Sequence, residues 1–105
     1  MPHPLIRQLL RVYDQAYRAP SWHGTPLRGS IRGLSPRDAL RRPGRRGHNI
    51  WEEVLHTAYW KYIVRRRLTR DERDSLPIEG CFWFPVNRGS AREWKAAVRL
   101  LEEQH

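Results

Sequence analysis

The sequence is poor in cysteine and in long apolar runs. These two shortages disfavour a disulfide-stabilised protein and a membrane-spanning protein. Its one cysteine, Cys81, cannot close an internal disulfide, which favours a reducing, cytoplasmic setting. We expect Cys81 to be a small apolar filler within GCFWFP rather than a reactive thiol. No apolar run approaches the roughly 18 residues of a membrane-spanning helix. The start, MPHPLIRQLL, also lacks the apolar core of a signal peptide, so we expect no membrane association.

Motifs of well-known catalytic sites are also missing. The sequence has no GxSxG, no P-loop, no GxGxxG and no HExxH. Among its five histidines, no two are three or four residues apart, the spacing that places two imidazoles on one helix face. His48 and His56 are eight residues apart, or about 12 Å along a helix, too far to share one ion directly. The residues alone therefore predict no complete metal site.

Lysine is scarce where arginine is abundant. The net charge is +9, and only two of the 20 basic residues, Lys61 and Lys95, are lysines. The densest basic run, 41–46, contains Pro43 and Gly44, and no known nucleic-acid motif accompanies it. We therefore favour a solvated loop over a phosphate-contacting patch and do not expect nucleic acid as the partner.

One uninterrupted stretch, His48 to Arg67, dominates the chain. It has neither Gly nor Pro, and it ends in three arginines. Asn49 is the expected N-cap, and Glu52 in the first turn suits the helix dipole. The apolar residues of this helix fall into two stripes, which predicts that two of its sides are covered. The first stripe contains Ile50, Val54, Ala58 and Tyr62, and the second contains Tyr59, Trp60 and Ile63.

The flanking segments predict further helices. Residues 4–18 have the spacing of an amphipathic helix, and short helical turns are expected between residues 26 and 40, one of them opened by a capping box at Ser35. A second capping box, SARE at 90–93, predicts a helix from Ala91 to at least Glu103. With 105 residues, we expect one all-α domain spanning 1–105, in which three main helices pack antiparallel as an up-down bundle.

The connection at 68–89 is unusually long for so small a domain. Its first half is charged and its second half contains Phe82, Trp83 and Phe84. A long aromatic connection is typically functional or packed rather than disordered. It is either a hydrophobic lid over the core or a wall of a ligand pocket, and the pattern favours the lid.

Three short motifs, taken together, resemble the DinB/YfiT-like superfamily. They are Trp22-His23-Gly24 followed by Leu27, then Gly33-Leu34-Ser35 followed by Ala39, and then His48, Ile50, Trp51, Glu52 and His56. The motifs follow the family's order, and the resemblance covers residues 1 to 104. It implies an antiparallel four-helix bundle and a metal-dependent enzyme of the hydrolase or thiol-dependent transferase type.

The resemblance also implies a metal centre. In the family three histidines hold a divalent ion, zinc or nickel, and His56 matches the ligand of the second helix. The other two ligands lie on a fourth helix, which this sequence lacks. We therefore expect a C-terminally incomplete bundle with an incomplete metal site. The expected second shell or pocket consists of Glu52, His48, His23, Tyr59, Trp60 and Trp83.

Three functions stay open from the sequence. The first is a DinB-like metal-dependent enzyme acting on a small molecule, with activity doubtful in this chain. The second is a non-enzymatic helical interaction module, for which a homodimer is plausible because an incomplete bundle leaves apolar surface. The third, less favoured, is a basic nucleic-acid-binding protein that uses 41–46 and 65–67.

Overall fold

A computed structural model describes residues 3–19, 26–71, 75–80 and 82–105 of the 105-residue chain. Within these ranges the chain is all helical and contains no strand, which confirms the all-α class. The helices are α1 (Pro4–Arg18), α2 (Leu27–Ser30), α3 (Pro36–Leu40), α4 (Ile50–Thr69) and α5 (Ala91–Gln104). None of the described helices combines the length with the apolar character that a membrane-spanning segment requires.

The chain divides into two compact units, residues 1–34 and residues 35–105. The first unit contains α1 and α2, which pack against each other. Helix α1 has Pro4 in its first turn, and the Nδ1 atom of His3 accepts a hydrogen bond from the Leu5 amide (3.1 Å). Tyr17 is its buried residue, and the prediction of a helix over 4–18 is confirmed. The expectation of one domain over 1–105 stays a prediction.

The second unit is built on α4 and α5, the most extensively packed pair of helices. Both begin with capping boxes, in which the side chains of Asn49 and Ser90 accept the amides of Glu52 and Glu93; the box at Ser90 was predicted, whereas Asn49 was predicted only as an N-cap. Helix α3 begins in the same way at Ser35 and packs against both helices. The core combines side chains from all three: Ala39 from α3, Trp51, Val54, Leu55, Ala58 and Tyr62 from α4, and Trp94, Ala97, Leu100 and Leu101 from α5.

Helix α4 is covered unequally on its two predicted stripes. In the first stripe Val54, Ala58 and Tyr62 are buried, whereas Ile50 at the helix start is 37% exposed. The second stripe is only partly covered, because Tyr59 and Ile63 are half-buried. The helix runs two residues beyond Arg67 and ends at Arg70, which takes a left-handed conformation (φ 55°).

Candidate functional site

The amino-terminal turns of α4 and the segment 82–87 form the candidate site. Its centre is Glu52, which is 3% exposed. Arg42 binds this carboxylate with both terminal nitrogens, Nη1 to Oε1 at 2.6 Å and Nη2 to Oε2 at 3.0 Å. Such a two-point pair is stronger and more directional than a single contact. The carboxylate therefore belongs to a fixed ion pair.

Glu52 also accepts two backbone amides. Oε1 accepts the Asn49 amide (3.1 Å), and Oε2 accepts the Val86 amide (2.9 Å). The hydrogen bonds from Arg42 are the main cause that lowers the pKa of Glu52 from 4.5 to about 2; burial opposes this shift, and the two amides reinforce it. At neutral pH the side chain is therefore an acceptor with no proton to give.

Three groups hold segment 82–87 on the start of α4 through Val86. Its amide donates to Glu52, and its carbonyl accepts from Asn49 Nδ2 (2.7 Å) and from Arg42 Nη2 (3.2 Å). The same Arg42 nitrogen donates to Oδ1 of Asn87 (2.9 Å), and Nη1 donates to the Gly47 carbonyl (3.1 Å). This network gives the aromatic segment a fixed register along α4.

Trp83 lies between His48, which precedes α4, and His56, which lies about two turns further along. Its ring stacks on His48 with 3.5 Å between centroids and 2° between planes, and on His56 with 3.8 Å and 5°. His48 and His56, which are too far apart to meet directly, are thus joined by the intervening indole. His48 also approaches Glu52, with 3.5 Å between Nδ1 and Oε1.

The backbone carbonyl of Phe82 orients the imidazole ring of His56. The Phe82 carbonyl oxygen lies 2.5 Å from His56 Nδ1. Because a carbonyl can only accept, this nitrogen carries a proton, and in the neutral ring Nε2 is then the unprotonated nitrogen. Phe82 reaches this position with φ 62°, a left-handed conformation that is costly for a residue with a bulky side chain.

An aromatic cluster continues the site along α4. The ring of Tyr59 packs edge-on against Trp60, Phe82 and Phe84, at centroid distances between 5.6 and 5.8 Å. Phe84 is buried, whereas Phe82 is 51% exposed. The aromatic segment therefore covers part of the core, as the lid interpretation expects, and also lines the surface beside His56.

The structure brings together most of the residues that the sequence singled out. His56, His48 and Trp83 form the stack, Tyr59 and Trp60 continue it, and Glu52 contacts His48. Glu52 makes no hydrogen bond to His56 in the described part of the chain, since its acceptor positions serve Arg42 and the two amides. His23 and Cys81 lie outside the described residues.

The role of Arg42 is not predicted by the sequence. The pattern of the basic run 41–46 predicts a solvated loop, whereas the guanidinium of Arg42 donates hydrogen bonds to Glu52, Gly47, Val86 and Asn87. No local pattern signals this role, because the partners lie between 5 and 45 residues away. Arg42 is therefore not available to a phosphate, which weakens the nucleic-acid alternative for 41–46.

The described residues offer one oriented histidine ligand, His56, and no complete metal site. Among the described residues, no group of three His, Cys, Asp or Glu side chains is placed to hold an ion. His56 by itself has the geometry that metal-binding histidines commonly show, with one ring nitrogen bonded to a carbonyl and the other able to coordinate.

We compared the chain with protein-family models, curated proteins and solved structures, and none of them matched.

Proposed function

We propose that the chain is a DinB-like helical domain in which His56 supplies one imidazole ligand to a divalent metal ion, zinc or nickel. The observation that carries this proposal is the contact between His56 Nδ1 and the Phe82 carbonyl. It places the proton on Nδ1, and Nε2 makes no hydrogen bond within the described ranges. An oriented imidazole with a free Nε2 lone pair is the form in which histidine binds metals.

The surroundings of His56 support the same role. Stacking on Trp83 restrains the plane of the ring, and the carbonyl of Phe82 restrains its rotation within that plane. The backbone of Phe82 is held in a costly conformation that delivers this carbonyl. A ligand that is already oriented loses less entropy on coordination.

The proposal covers binding and not a reaction. A single imidazole does not define a reaction, and no set of three ligating side chains lies within the described residues. The hydrolase or thiol-dependent transferase activity is what the family resemblance implies for the completed centre.

The test is metal retention by matched histidine variants. The protein is loaded with zinc or nickel, dialysed and measured by elemental analysis, with its mass determined by light scattering. We expect His56→Ala to lose the bound metal and His48→Ala to keep it, because both remove one stacking partner of Trp83 and only one removes the ligand. Equal retention by both variants would refute the role of His56.

The exposed side of α4 favours a second candidate, a homodimeric interaction module. Trp60, Val64 and Leu68 recur every four residues and are 37%, 52% and 79% exposed. Side chains at this spacing share one helix face, so they form an apolar stripe suited to a second copy of the chain. We expect Val64→Glu to convert a dimer into a monomer in light scattering, whereas Ala96→Glu on α5 leaves it a dimer. A wild-type monomer at all concentrations would exclude this candidate.

A further inference from the structure

The carboxyl-terminal half of α4 carries a basic cavity that neither the metal proposal nor the apolar stripe uses. A cavity of about 480 Å³ is lined by Ile63, Arg66, Arg67 and Arg70. These residues are at positions i, i+3, i+4 and i+7, so their side chains share one face of the helix. Three arginine side chains therefore line one open cavity on this face of the helix.

The three arginines of this cluster have no carboxylate partner in the part of the chain that the structure describes. Within the described residues Arg67 and Arg70 form no ion pair, and Arg66 donates from Nη1 to the hydroxyl of Tyr62 (3.1 Å), a neutral partner. Two other arginines do have carboxylate partners, Arg18 with Asp14 and Arg42 with Glu52. No carboxylate of the described residues lines the cavity beside these three positive charges.

Helix stability alone does not account for the arrangement. Cations near the end of a helix interact favourably with its dipole, but this effect does not depend on which face they occupy. Placing Arg66, Arg67 and Arg70 at i, i+3 and i+4 spacings adds repulsion between like charges. A bound anion would remove that repulsion.

We propose that Arg66, Arg67 and Arg70 bind the phosphate group of a small phosphate ester. A phosphate monoester carries nearly two negative charges and three strong acceptor oxygens, which suits three arginine side chains better than a carboxylate does. The cavity is larger than a phosphate group and lies in the size range of small-molecule sites. We therefore expect the ligand to carry an organic group esterified to the phosphate.

The apolar surface beside the cavity indicates which kind of organic group the phosphate ester carries. Ile63 lines the cavity, and Tyr59 lies one turn earlier on the same helix. The ring of Tyr59 belongs to the aromatic cluster with Trp60 and Phe82. An aryl phosphate would place its ring against Ile63, on the side of the cavity that faces this cluster, and its phosphate among the arginines. This assignment does not depend on metal binding at His56.

The test is calorimetric titration with phenyl phosphate at low ionic strength. The variant is Arg67→Gln combined with Arg70→Gln, and the matched control is Arg45→Gln combined with Arg46→Gln, which removes the same charge from exposed positions of the loop. We expect the first pair to weaken binding at least about tenfold, since it removes two charge-assisted contacts, and the control to change it less than about twofold. Thermal unfolding of both variants checks that each is folded.

Four outcomes would overturn the proposal. They are no binding of phenyl phosphate to the wild type, equal weakening in the two double variants, equally tight binding of benzoate, and a preference for a single-stranded oligonucleotide with steep salt dependence. The second would indicate general charge attraction, the third a carboxylate site and the fourth a nucleic-acid surface.

Discussion

Arg42 and Glu52 form a two-point ion pair that joins three separate parts of the second unit. The two donor–acceptor distances are 2.6 and 3.0 Å, and the pair connects the loop after α3 to the first turn of α4. Through Val86 the same two side chains also hold the segment that leads to α5. The position of Trp83 against His48 and His56 therefore depends on the ion pair between Arg42 and Glu52, which contacts neither face of the indole.

Removal of Arg42 should destabilise the protein strongly. Arg42→Met leaves the buried carboxylate of Glu52 without its cation, and an uncompensated buried charge is costly. We expect a clearly lower urea midpoint at pH 7 for this variant, measured by circular dichroism. Arg41→Met, the matched control at an exposed neighbour, should keep the wild-type midpoint. Equal midpoints for the two variants would contradict the role of Arg42.

Acid should weaken the fold through Glu52. Its folded-state pKa is about 2 and its ordinary value is 4.5, so the unfolded chain takes up the proton first as the pH falls. The stabilisation is complete above about pH 5 and is lost as the pH falls towards 2, and it amounts to about 3 kcal/mol. Denaturation at a series of pH values measures it. Glu52→Gln should show a smaller loss over this range, and an unchanged acid profile would contradict the assignment.

The N-cap of α4 should be worth more than the N-cap of α5. Asn49 is 1% exposed, caps the Glu52 amide (2.8 Å) and also donates to the Val86 carbonyl, whereas Ser90 is exposed and caps only its own helix. We expect Asn49→Ala to cost about 2 kcal/mol and Ser90→Ala about 1 kcal/mol of unfolding free energy. Urea denaturation of both variants measures the two losses in unfolding free energy. A larger loss for Ser90→Ala would show that the hydrogen bond from Asn49 to the Val86 carbonyl contributes little.

A methyl group at Gly89 should not fit. A Cβ built there overlaps the indole of Trp51, which is buried and packs against Trp94. We expect Gly89→Ala to cost about 1–3 kcal/mol, because the ring has to move within a packed core. Gly44→Ala is the control, since nothing lies within 4 Å of its added Cβ, and it should be nearly neutral. Thermal unfolding of the two variants compares them directly.

Local sequence patterns were sufficient for the helices. The capping boxes at Ser35, Asn49 and Ser90 all form, because each depends on groups three residues apart in the chain. The range of α1 was also predicted correctly, because the spacing of its apolar residues is a local property of the sequence. The predicted end of α4 at Arg67 is two residues too early, because no glycine marks the boundary and Arg70 takes the left-handed position instead.

Tertiary structure decided the site. The sequence drew attention to His48, Glu52, His56 and Trp83, because unusual residue types in a helix pattern can be recognised locally. It could not place Trp83 between the two imidazoles or assign Arg42 to Glu52, since these contacts join residues 10 to 35 positions apart. Capping and helix periodicity are set by neighbours along the chain, whereas the partner of a buried charge is set by which segments pack together.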